Sequence, residues 1–183
     1  MLDYQFAGLP LHVLLVHVMV VGVPLLAVVM VVLCCWPGAR RVLWLPALIG
    51  ALGLLGVMYV TIEAGKWLQV RVPEAPLIEA HTAQGEDIVP WMIGLATIAA
   101  LVAALAILER RERRGRTDPE VAANRGMTVP PARRSPVRVV VAVLLIVAAV
   151  GVGAGSVWTI VRIGDSGSRA VWEGSFSDEP LEG

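Results

Sequence analysis

Three histidines, His12, His17 and His81, are the residues of this sequence best suited to chemistry, and two of them stand inside an apolar run. From Tyr4 to Ala39 there is no Asp, Glu, Lys or Arg. An imidazole at membrane depth is costly unless it is satisfied, so intramembrane ionisable residues are functional candidates by default. His17 lies five residues beyond His12, about 7.5 Å along a helix and about 140° around it, so the two rings leave on different faces. They are not a chelating pair, which on one helix takes the i, i+4 spacing of the H-E-x-x-H type. Each needs its partner on another helix, in a loop, or in a cofactor between helices.

The third histidine stands in Pro76-Leu77-Ile78-Glu79-Ala80-His81-Thr82-Ala83-Gln84-Gly85. Pro76 can open a helix at its first position, and Ile78, His81, Gly85 and Met92 recur at helical steps. His81 is then on the inward stripe of a helix leading toward a later span, with a kink near Pro90. At the same end come Glu63, Lys66, Arg71, Arg162 and Asp165.

Two chemistries suit this set. A haem b in a four-helix bundle takes imidazoles from two helices as axial ligands, with Arg162 or a lysine meeting the propionates. A metal site joining His12, His17 and His81 with Glu63 or Asp165 suits Zn, Fe or Cu. The alternative is a cofactor-free scaffold or small-solute carrier whose histidines only lock helices together.

The elements that must carry these residues are membrane helices. Of the 183 residues, 57% are hydrophobic and 16% charged, with a mean hydropathy of +0.74, which is the composition of a polytopic membrane protein. Within lipid every backbone polar group must pair inside its own helix, and the alternating segments of a β-barrel are absent. The sequence therefore predicts an all-α bundle of four transmembrane helices in one integral membrane domain over 1–183. The spans fall at about 9–35, 42–62, 88–108 and 139–161, each near the length that crosses a bilayer. An Arg- and Pro-rich loop occupies 109–138 and a tail 162–183. The first span lacks a positive n-region and is too long for a cleaved signal, so it is expected to be retained.

Arginines orient the bundle. The connections after spans one and three hold eleven basic residues, and the opposite side holds Lys66, Arg71, Arg162 and Arg169. By the positive-inside rule both termini and all three histidines are extracytoplasmic, in the inner (cytoplasmic) membrane of a cell. The Arg cluster is then a topology signal with affinity for anionic headgroups, and no nucleic-acid partner is implied. Gly50, Gly53 and Gly56 with Ala47 and Ala51, and again Gly151, Gly153 and Gly155, are read as small-residue packing faces. Cys34 and Cys35 are adjacent and build no disulfide framework. No phosphate loop, nucleophile elbow or Cys-x-x-Cys motif is present, so hydrolase, ATPase and thioredoxin-like chemistry have no footing.

Four segments carry a family resemblance. Phe6-Ala7-Gly8-Leu9-Pro10-Leu11-His12-Val13-Leu14-Leu15-Val16-His17, Glu63-Ala64-Gly65, His81, and Arg162-Ile163-Gly164-Asp165-Ser166-Gly167-Ser168-Arg169-Ala170-Val171-Trp172 together resemble the bacterial membrane family catalogued as domain of unknown function 2231. Val13 departs from the proline usual there after the first histidine. The resemblance implies four spans with two early histidines, a third before span three, and a glycine-bearing tail after span four. By association with electron-transfer domains it also implies a membrane redox partner. The combined expectation is an electron-transfer or accessory subunit in the lipid bilayer, of unspecified oligomeric state.

Overall fold

The computed structural model describes residues 3–114 and 136–175, with the side chains of residues 136–138 excepted. The predicted loop after Arg114, and the end of the tail after Ser175, lie outside the described residues. The chain begins with a two-residue hairpin, β1 (Gln5–Phe6) paired antiparallel with β2 (Leu9–Pro10). Ala7 and Gly8 turn it with φ of 51° and 79°, the positive values that a tight hairpin of matching twist demands. The amide of Leu11 then donates to the carbonyl of Tyr4 at 2.8 Å, tying the first helix to the hairpin.

Among the described residues five helices follow: α1 (Leu11–Cys35), α2 (Pro37–Gln69), α3 (Pro76–Gln84), α4 (Val89–Arg114) and α5 (Pro136–Trp172). Four helical stretches are long and apolar enough to cross a membrane, Leu11–Cys35, Pro37–Gln69, Pro76–Arg114 and Val139–Trp172. They pack in the cyclic order α1, α2, α4, α5, and α3 lies across one end against α5 and α2. Pro37 and Pro76 each open a helix, where the missing amide hydrogen costs nothing.

The helices outrun the apolar runs. α2 continues seven residues past Ile62, and α5 continues eleven past Val161. Over these extensions charged pairs at helical spacing, such as Arg169 with Asp165 at 3.0 Å, replace lipid-facing residues. Much of the stretch between expected spans two and three, and the first half of the expected tail, is therefore helix, and it is this added helix that carries Gly65, Ser166 and Gly167. The break before α4 falls at residues 85–88, and Pro90 sits inside the first turn of α4.

The core is built of methionines, leucines and small residues: Met19, Val23, Met30, Leu33, Met58, Met92, Leu95 and Val102 are buried, with Ala51, Ala106 and Ala149 between them. Glycines admit close approach at several crossings. A Cβ on Gly153 would stand 3.3 Å from that of Ala27, one on Gly94 2.9 Å from Val152, and one on Gly155 would collide with the ring of Trp91. The expected face of Gly50, Gly53 and Gly56 is corrected: none has an atom within 4 Å of where its Cβ would be. The buried positions of α2 are Arg40, Ala47, Ala51, Met58, Thr61 and Ala64, which recur at steps of three, four and seven, whereas a strict step of three drifts off that face. Gly151 is likewise open. The outer faces carry exposed Val21, Leu25, Val28, Leu52 and Leu144, a surface suited to acyl chains.

Candidate functional site

His12 is the second residue of α1, half-buried at the end of the bundle that holds α3. Its Nδ1 donates to the backbone carbonyl of Thr61 in α2 at 2.9 Å. The ring also lies against Gly65, one turn further along α2, where a Cβ would stand 2.9 Å from Nδ1 and 3.1 Å from Cε1. Any side chain at 65 would push the imidazole off its acceptor.

His81 is set by α3 and α5 in the same manner. Its Nδ1 is 3.0 Å from Oγ of Ser166, and that hydroxyl donates its one hydrogen to the carbonyl of Ile163 at 2.9 Å. Ser166 can therefore only accept from His81, so the proton of the neutral ring is on Nδ1. Gly167 backs the ring, with its would-be Cβ 2.9 Å from Cε1. For His12 the tautomer follows more directly, since a carbonyl cannot donate.

The two rings meet at the junction of four helices, with centroids 6.1 Å apart and planes at 72°. Both carry their lone pair on Nε2, and neither Nε2 has a hydrogen-bond partner among the described residues. The two fixed imidazoles thus leave two ring nitrogens that are not sealed off and that solvent or a ligand can reach. Fixing of Nδ1 by a carbonyl or hydroxyl, which raises the basicity of Nε2, is the usual outer support of a metal-ligating histidine.

The other expected residues are arranged differently. His17 is exposed, and its Nδ1 donates to the carbonyl of Val13 on its own helix at 2.7 Å, away from the pair. Glu63 takes Lys66 at 3.1 Å, and Lys66 reaches on to Glu86 at 2.9 Å. Arg162 pairs with Asp87, and Asp165 with Arg169. Arg71 stacks 4.0 Å over Trp67. These pairs pin α2 and α5 to the loop before α4. Among the described residues no group of three or more His, Cys, Asp or Glu is placed to hold a metal ion. An open groove of about 420 Å³ runs between α3 and α5, lined by Ala80, Arg162 and Asp165 among others, and reaches Ser166.

Thr61, Gly65, Ser166 and Gly167 were not singled out by residue chemistry. A backbone acceptor leaves no mark in a sequence, and the signal available for the rest was their place inside the segments that carry the family resemblance. The opposite end of the bundle holds a second unforeseen cluster. Arg40, only 4% exposed, donates from Nη1 to the carbonyls of Leu33 at 2.8 Å and Cys34 at 3.3 Å, and from Nη2 to Glu109 at 2.6 Å. It joins the end of α1, the start of α2 and the end of α4. No protein-family model, no curated protein and no solved structure matches the chain.

Proposed function

We propose that this chain is a multi-pass membrane protein that binds a metal-centred cofactor, a haem b or a single metal ion, between His12 and His81, and serves as an electron-transfer or accessory subunit. The carrying observation is the pair of imidazoles 6.1 Å apart, each held through Nδ1 and each with its Nε2 open to a further partner. Two ring centroids stand about 6 Å apart when one ion lies between them, given metal–nitrogen bonds of about 2 Å and roughly 1 Å more from each nitrogen to its ring centre. In this reading the eleven basic residues of the two Arg-rich connections place the pair and both termini on the outer side of the cytoplasmic membrane.

The test is direct. Purified, detergent-solubilised protein should carry a stoichiometric metal by elemental analysis, with a Soret band in its absorption spectrum if that metal is haem iron. His12→Ala and His81→Ala should each remove the metal. His17→Ala should retain it, because that ring turns back on its own helix. Protein expressed with haem precursors and metals in supply that carries neither would end the proposal.

A second reading rests on the same two glycines. Packing of each ring on a neighbouring helix backbone at Gly65 and Gly167 is what a cofactor-free lock between helices would also use. It expects His12→Ala to lower thermal stability by about 1 kcal/mol in a protein that carries no metal before or after the change.

A further inference from the structure

We propose that the ligand of this pair is a bare monovalent copper ion, Cu(I), held two-coordinate between Nε2 of His12 and Nε2 of His81. The inference rests on the histidines being a ligand pair, as proposed above, and names what they hold. The number of donors comes first. Structural zinc takes four protein ligands and catalytic zinc three, and non-haem iron takes two histidines and a carboxylate. With no third His, Cys, Asp or Glu placed to join among the described residues, those ions would be left short. Cu(I), with a filled d shell, is satisfied by two neutral nitrogens in line.

Charge points the same way. A porphyrin brings two propionates, and each cation near the pair already has a partner: Lys66 holds Glu63 and Glu86, Arg162 holds Asp87, Arg169 holds Asp165, and Arg71 is stacked on Trp67. A dianionic cofactor would have to compete with those carboxylates. A monocation between two neutral rings asks for none of them.

Space agrees with charge. His12 is backed by Gly65 and His81 by Gly167, with under 3 Å to spare even for a methyl group. Neither ring can retreat to let a flat macrocycle slide between α1 and α3, whereas a single ion between rings whose centroids are 6.1 Å apart asks for no such retreat. The groove that reaches Ser166 between α3 and α5 brings solvent close to His81, which gives an ion a way in.

The geometry also bears on role. Cu(II) prefers four tetragonal N or O donors, so a two-nitrogen site holds copper in the reduced state and resists cycling. That favours the accessory side of the proposed function, a holder or carrier of copper, over an electron relay.

The experiment is an anaerobic titration of the full-length protein in detergent with Cu(I), in competition with the chromophoric chelator bathocuproine disulfonate. Parallel titrations use Zn(II) and haem b, and X-ray absorption at the copper edge counts the neighbours. The expected result is one Cu(I) per chain with two nitrogen neighbours. Binding should fall at least 100-fold in His12→Ala and in His81→Ala, and about 10-fold in Ser166→Ala, which keeps both rings but frees the tautomer of His81. Ser166→Ala keeps the test decisive if a histidine variant fails to fold, because a folded Ser166→Ala with unchanged Cu(I) affinity would overturn the assignment. Stoichiometric haem, tighter Zn(II), or three or more copper neighbours would overturn Cu(I) while leaving the metal-binding reading intact. Failure of all three to bind would remove both.

Discussion

The two ends of the bundle both bury polar groups, and they use them in opposite ways. At the Arg40 end, three of the contacts of one guanidinium are spent on protein acceptors, the carbonyls of Leu33 and Cys34 and the carboxylate of Glu109. At the histidine end each ring makes one protein hydrogen bond, through Nδ1, and leaves the other nitrogen unmatched. The first pattern is that of a clamp, where polar groups are consumed in holding helices. The second is that of a presented pair, where one bond fixes direction and the rest of the group stays available. An unused polar atom does not by itself separate the two ends, since Nε of Arg40 and Oε2 of Glu109 also lack a partner; access does, because those two atoms are sealed from solvent and the imidazole Nε2 atoms are not.

The sharpest way to break this comparison is Arg40→Ala. Removing the guanidinium leaves Glu109 without its 2.6 Å partner and uncaps the end of α1. Breaking a buried pair from one side costs about 3–5 kcal/mol, and the 21% exposure of Glu109 puts the expected loss near the lower figure, about 3 kcal/mol. Chemical unfolding in detergent measures it. Metal content should be unaffected, since the histidines are at the far end. If Arg40→Ala instead leaves stability unchanged, the clamp reading of that end is lost.

Next in size is Gly167→Ala. The new methyl would stand 2.9 Å from Cε1 of His81, so the ring or α5 must move. Overpacking of this kind costs about 1–3 kcal/mol, and the shift takes Nδ1 off Ser166. The expected outcome is a loss of about 2 kcal/mol in unfolding free energy together with loss of bound metal. Loss of stability with metal retained would show that the glycine serves packing only. Gly65→Ala should behave alike through His12, and the match between the two variants tests whether the rings form one unit.

Ser166→Ala should be gentler on the fold, about 1 kcal/mol, the net worth of one hydrogen bond. Its value is in the ratio of effects. A presented ligand pair loses metal affinity out of proportion to stability, and a helix lock loses only stability.

The bundle was legible from its charge-free runs, because roughly 20 apolar residues have few other uses. So was the separation of His12 from His17, since five residues of helix turn them apart. The meeting of His12 with His81 was legible only as a shared end, without its distance. What stayed hidden were features that need a second chain segment to exist. Gly65 backs the ring of His12 only because α2 runs seven residues past its apolar stretch, and hydropathy stops where that extension starts. Arg40 reads in sequence as one of two topology arginines, yet its near neighbour Arg41 is exposed while Arg40 is buried against α1 and α4. Charge type cannot distinguish them; only the helix packing does.

The smallest expected effect tests the part of the sequence reading that the structure corrects. Gly53 was placed on a packing face, but no atom lies within 4 Å of where its Cβ would be. If glycine there served close approach, Gly53→Ala would separate helices and destabilise. With the site open, the methyl meets only solvent or acyl chains. The change then removes backbone freedom that the unfolded chain enjoys, a gain of up to about 1 kcal/mol in an exposed helix interior. Unfolding should therefore be unchanged or shifted slightly toward greater stability, with metal content constant. Gly153→Ala is the matched control, because its Cβ would come 3.3 Å from that of Ala27 across α1 and α5. Destabilisation by Gly53→Ala would mean that this face of α2 is covered in the membrane by something beyond the single chain.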